Sequence, residues 1–212
     1  TLCLKCEFKG TRAQIKKQNQ DRLNGAVLRF DRLIRQNAGE LEQKFNGFAG
    51  KTDTTKILLN CIQQDYFYFP SLPELFGMGP SLGLDRFGFY FPTKFSGPPV
   101  LQIYFDKRLG GLVKIKTGTH MLNRQKGGDI EEEQIQDPGI YPETYQEQIP
   151  YTLECSDNTI QIIAHLPYIN MADASEFGST LEKGSVIGYF IMEKPLADDL
   201  ETLDREMGLN VT

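Results

Sequence analysis

Eight apolar residues, Leu23, Val27, Phe30, Ile34, Ala38, Leu41, Phe45 and Phe48, recur three or four positions apart in an otherwise polar stretch. That spacing puts them on one stripe of an α-helix and leaves Arg22, Arg29, Arg35, Glu40 and Glu42 for water. No proline precedes Pro70, so residues 11–48 are expected to form one continuous helix. Such a helix is far longer than the ~11–12 residues usual in globular proteins. Gly25, Gly39 and Gly47 each cost about 1 kcal/mol against alanine in a helix interior. The helix must therefore be held by packing of its seam, which is expected to be buried from Val27 to Phe48 while the first turns project.

The rest of the chain reads as short elements. Thr52 or Asp53 would cap a second helix running past Ile57, Leu58, Cys61 and Ile62. Residues 70–83 hold three prolines and three glycines and are expected to be an irregular loop. Strand patterns follow at residues 84–91, 100–106 and 112–116, the last two joined by the turn Arg108-Leu-Gly-Gly111. Residues 117–150 are polar, include the acidic run Glu131-Glu132-Glu133, and are expected to be a lid or a mobile loop. A second hairpin joins residues 151–155 to 159–166, and residues 185–192 form a strongly apolar strand. Pro195 then opens a helix with Leu196, Leu200, Leu203 and Met207 on one face, closed by Gly208. The expected organisation is a signalling helix at 1–50, one module at 51–208, and the start of a second module at 209–212.

Several function classes are poorly served by this composition. A net charge of −5 leaves no dominant basic face for nucleic acid. No run approaches the ~20 apolar residues that span a bilayer. Cys3 and Cys6 form a C-x-x-C pair without the second pair a structural zinc site needs, and Glu7 stands where haem attachment requires histidine. Cys61 and Cys155 lie among apolar neighbours and read as buried thiols rather than a disulfide. Nucleophile elbow, Walker loop, zinc-protease and dinucleotide motifs are all absent, and there are only two histidines, His120 and His165. Gly127-Gly128-Asp129 resembles the start of a cyclase signature without the residues that should follow. The three consecutive glutamates lack the stagger of a calcium loop. No catalytic residue, metal or cofactor is expected, and the fragment is not read as an enzyme.

The hairpin at residues 100–116 and the tail Val186-Ile-Gly-Tyr-Phe-Ile-Met192, followed by Pro195-Leu-Ala-Asp-Asp-Leu, resemble the Cache family of extracytoplasmic sensor domains. Such domains serve chemoreceptors, sensor histidine kinases and diguanylate cyclases. The resemblance implies an α+β fold: a long N-terminal helix and a PAS-like domain with a central antiparallel sheet of about five strands. It implies a small molecule bound over that sheet, a homodimer through the N-terminal helix, and a membrane anchor that leaves this region extracytoplasmic. The tyrosine–arginine–tryptophan–tyrosine cluster of amino-acid-binding members is not carried over, because tryptophan is absent.

A ligand on such a sheet needs polar groups projecting from the strands into an apolar surround. Gln102, Tyr104 and Asp106 alternate against Leu101, Ile103 and Phe105; Gln161 and His165 share a face; Tyr189 lies in the last strand; Arg86 and Tyr90 enter from the first. The candidate ligand-binding residues are therefore Arg86, Tyr90, Tyr104, Asp106, His165 and Tyr189. Arg86 is the natural anchor for a carboxylate, which a guanidinium grips with two bonds. The competing reading is a structural or assembly module, in which the long helix anchors a β-domain in an envelope complex with no small ligand.

Overall fold

Phe87, Phe89 and Phe91 alternate with Arg86, Gly88 and Tyr90, and this period of two builds the strand β1 (Arg86–Pro92) at the middle of the sheet. The structure, a computed structural model, describes residues 2–49, 72–92, 97–156, 159–171 and 182–207. The expected helix after Thr52, with Cys61 in it, and the expected second module at 209–212 lie outside the described residues.

The strands are β1, β2 (Pro99–Asp106), β3 (Gly111–Lys116), β4 (Thr119–Lys126), β5 (Asp129–Ile135), β6 (Tyr151–Ser156), β7 (Thr159–Ile169) and β8 (Val186–Pro195). They form one antiparallel sheet in the order β5-β4-β3-β2-β1-β8-β7-β6. Two meanders, β1 to β5 and β6 to β8, thus meet where β1 pairs with β8. The hairpins expected at residues 100–116 and 151–166 are present, and both share a sheet with β8.

The five-stranded PAS-like sheet is not what forms. The sheet has eight strands, and β4 and β5 arise inside the stretch read as a lid or loop. β5 carries Asp129 and Glu131–Glu133 on an exposed edge, so it lacks the apolar alternation that marks a half-buried strand. Its partner β4 holds it through Arg124, 2.8 Å from Glu133, and Lys126, 3.3 Å from Glu131. Gly127 and Gly128, with φ of 60° and 100°, make the tight β4–β5 turn, a role that explains this pair without a cyclase signature.

Besides the sheet, the described residues form three helices: α1 (Leu2–Ala49), α2 (Leu72–Leu82) and α3 (Ala197–Met207). α1 is continuous, as expected, and begins earlier than residue 11. Its seam is buried at Ile34, Leu41, Phe45 and Phe48, whereas Leu23 and Val27 are 58% and 60% exposed. Periodicity defines a helix face but not how much of it finds a partner. α2 replaces the expected loop: Pro73 falls in its first turn and Pro80 in its last, positions that break few backbone bonds. Gly79 is required there, since a Cβ would lie 2.6 Å from the Phe105 ring. Pro195 ends β8 rather than opening the last helix, and Asp198 and Asp199 occupy the first turn of α3, where the helix dipole favours them. Cys155 is a free, exposed thiol on β6, not the buried one expected.

By packing, residues 2–37 with 197–207 form one unit and the described residues between 38 and 196 another. In the latter, the C-terminal turns of α1 cover one face of the sheet. Phe45 stacks on Phe190 with ring centres 5.1 Å apart and meets Tyr168 edge-on at 5.9 Å, and Phe48 lies 5.9 Å from Phe89. Gly188 makes room for this aromatic layer, because a Cβ there would collide with the Phe91 ring and the Tyr90 carbonyl. Phe45→Ala should cost about 3–5 kcal/mol in chemical denaturation through the cavity it leaves. Val27→Ala, on the exposed part of the same stripe, should stay within about 0.5 kcal/mol of the parent when both are dilute enough to be monomeric.

Candidate functional site

The face of the sheet turned away from that phenylalanine layer carries the other half of the β1 alternation, Arg86, Gly88 and Tyr90. Register assigns its neighbours: Gly88 pairs with Tyr104, Tyr90 with Tyr189, Arg86 with Glu193, and Pro167 with Tyr189. His165, paired with Ile191, stands two residues before Pro167 and so faces the same way. The same rule places Asp106 beside Tyr104. All six candidate residues thus share one face.

One alternation differs from the simple reading. Phe89 pairs with Ile103 and Tyr90 with Leu101, so Gln102 is an extra residue in β2. The bulge turns Leu101 onto the Tyr104 face, where it packs with Tyr90, Val113, Leu122 and Ile191. Gln102 is buried and donates from its amide to the Phe91 carbonyl at 3.3 Å.

Residues 136–150 cross this face as a strap without regular structure beyond an isolated bridge between Val100 and Thr144. Its backbone is tied at three places: Leu101 N–H to the Glu143 carbonyl, Tyr145 N–H to the Pro99 carbonyl, and His165 N–H to the Pro150 carbonyl. Its side chains fill the face. Tyr145 stacks on Tyr189, ring centres 3.9 Å apart and planes within 8°. Tyr141 sits edge-on to Tyr90 and Tyr104 at 6.5 and 6.1 Å, and its ring lies against Gly88. The Tyr90 hydroxyl donates to the Pro142 carbonyl at 3.0 Å.

A carboxylate is buried among these rings. The Arg86 guanidinium pairs with the Glu193 carboxylate at 2.5 Å, and the Glu193 side chain is only 6% exposed. The Tyr141 hydroxyl is enclosed beside the same carboxylate. Burial pushes the Glu193 carboxyl above its usual range, a rise that Arg86 and Tyr141 oppose. Burial also raises the Tyr141, Tyr90 and Tyr104 phenols, with Glu193 adding to the first two and Asp137 and Asp106 to the third. All three remain protonated donors at neutral pH. His165 is driven down by burial, so its imidazole is neutral; its Nδ1 has no hydrogen-bond partner among the described residues, and its ring lies 6.2 Å from Tyr145.

Asp106 is on the right face but committed elsewhere. It accepts from the Arg108 backbone N–H at 2.7 Å and from the Arg108 guanidinium at 2.7 Å, which fixes the turn between β2 and β3. Burial alone would raise its carboxyl, but the Arg108 bonds outweigh it and hold the group below its usual range. Four participants were not foreseen from sequence: Glu193, Tyr141, Tyr145 and His120. His120 accepts from, or donates to, the Tyr104 hydroxyl at 3.3 Å through Nδ1, and its Nε2 is 3.8 Å from Asp137 at the start of the strap. The available signal for Glu193 was a carboxylate continuing an otherwise apolar strand; the strap tyrosines carried none. Among the described residues, no three histidine, cysteine, aspartate or glutamate side chains come together as a metal site.

Comparison with protein-family models, curated proteins and solved structures yields no match to this chain.

Because the Asp106 carboxyl is depressed when folded, its contribution is present above the unfolded value near about 3.9 and lost as pH falls through the folded value. Asp106→Asn should therefore lower stability by about 1.5–3 kcal/mol at pH 7. The gap from the parent should stay level down to about pH 4 and narrow below it. Urea denaturation across pH 2.5–7 checks this; a gap that widens in acid would contradict it.

Proposed function

We propose that this chain is the ligand-sensing region of a signal-transduction protein, taking a small molecule on the tyrosine face of its sheet. The reading is carried by the Arg86–Glu193 ion pair, whose carboxylate is buried beside Tyr90 and Tyr141 under an irregular strap. An ion pair in such a place adds little to stability, since hydrophobic side chains of similar volume would serve as well. Buried charge set in aromatic walls is instead the composition of a ligand site. The eight-stranded sheet removes the support of a PAS-like fold, so the proposal stands on the site. A membrane-bound setting, with this region outside, rests only on the resemblance of the tail; among the described residues no helix is long and apolar enough to cross a membrane.

Transmission follows from connectivity. Glu193 and Tyr189 belong to β8, and β8 runs through Leu196 directly into α3. A ligand that binds one arrangement of Glu193 better than another shifts the population of β8 positions, and with it the start of α3. The exposed Ile15, Leu23, Val27 and Leu28 of α1 support pairing with the same helix of a second copy. In sedimentation equilibrium, Val27→Lys should then weaken a dimer that the parent forms; an unchanged dimer would remove α1 from the interface.

With no tryptophan and nine tyrosines, the chain reports on its own site by tyrosine fluorescence. A panel of small carboxylates and other metabolites should contain a ligand that changes this emission and raises the melting temperature. Both responses should disappear in Arg86→Ala and in Tyr189→Ala, provided circular dichroism shows them folded. Hits that survive both substitutions would place binding elsewhere, and a panel that yields none would defeat the sensing assignment.

A further inference from the structure

Tyr141 is held like a guest rather than like a core residue. Its ring rests on Gly88, where an added Cβ would lie 3.3 Å from the ring edge, so the sheet has no side chain at the place the ring occupies. Edge-on walls come from Tyr90 and Tyr104, and the hydroxyl is delivered to the Arg86–Glu193 pair. That hydroxyl is fully buried beside Glu193. Tyr141 belongs to a strap whose backbone is fixed nearby at Glu143, Tyr145 and Pro150, and the Tyr90 hydroxyl holds Pro142.

We infer that this slot is a binding site for a phenol, an aromatic ring bearing a hydroxyl donor, and that Tyr141 is its built-in competitor. The inference rests on the sensing reading above and names the ligand class for it. The slot offers a flat floor at Gly88, aromatic walls, and a carboxylate acceptor backed by Arg86. A simple carboxylate fits it less well, because Arg86 is already paired with Glu193. The strap can give way: its described backbone ties are few, its sequence 136–150 includes Pro138, Gly139, Pro142 and Pro150, and segments of this kind open at modest cost. Entry of a phenol would release the strap, and the free ring would take the place of the Tyr141 ring with its hydroxyl beside Glu193.

The probe is p-cresol, with toluene as the same ring lacking the hydroxyl. Binding is read by calorimetry and strap release by hydrogen–deuterium exchange of peptides covering residues 141–150. In the parent chain, p-cresol should bind and speed exchange in the strap, while toluene binds at least tenfold more weakly. Tyr141→Ala should bind p-cresol at least tenfold tighter than the parent does. Should that variant fail to fold, Tyr141→Phe, which keeps the ring, should still bind p-cresol more tightly than the parent. Glu193→Leu, which removes the acceptor, should erase the preference for p-cresol over toluene. If p-cresol fills only Tyr141→Ala and leaves the parent strap protected at saturating concentration, Tyr141 is a fixed core residue and the inference falls. If p-cresol fails but another panel compound binds and is lost in Arg86→Ala, the phenol assignment falls while sensing stands. If neither p-cresol nor any panel compound binds, both fall.

Discussion

β1 is buried on both faces, and that constraint organises the molecule. A strand at the middle of an antiparallel sheet must satisfy two different environments with one run of seven residues. Here Phe87, Phe89 and Phe91 supply an aromatic layer that α1 seals through Phe45 and Phe48. Arg86, Gly88 and Tyr90 supply the opposite face with a charge, a gap and a phenol. The neighbouring strands follow suit: β8 gives Phe190 and Met192 to the first layer and Tyr189 and Glu193 to the second. Apolar closure on the helix side is what makes a buried charge on the strap side tolerable. The energy lost by desolvating Arg86 and Glu193 is offset by packing that does not involve them.

The helix side was the more legible half of the sequence. Steps of three and four from Ile34 to Phe48 of α1, and alternation through β2, β3 and β8, arise from burial, and burial leaves a periodic imprint. β4 and β5 left little imprint because β5 lies at the edge with both faces largely in water, and the Gly127-Gly128 pair of their turn read as part of a loop. α2 was hidden by its prolines, which read as breakers until their positions at the ends of a short helix are known. The six candidate residues were brought to one face by strict period-two counting, with the Gln102 bulge the one place where counting slipped. Which of them are engaged elsewhere was a matter of tertiary pairing: Asp106 is held by Arg108 across a turn, and Arg86 by Glu193 across more than half the chain. The tyrosines at 141 and 145 sit in a polar, proline-containing stretch with no period at all, and only their docking reveals them.

The arrangement of the strands also sets an order of assembly. β1 through β5 are neighbours in sequence and in space, so each can pair as soon as the next is made. β6 through β8 form a second such run. The seam between them, β1 against β8, joins segments about a hundred residues apart, and such distant closures come late and slowly. Until β8 exists, β1 is an open edge displaying Phe87, Phe89 and Phe91, a hazard for a chain emerging from a ribosome. Because Arg86 and Glu193 are in register across that seam, the charge pair at the candidate site is also a checkpoint: it forms only once the two halves of the sheet have found each other.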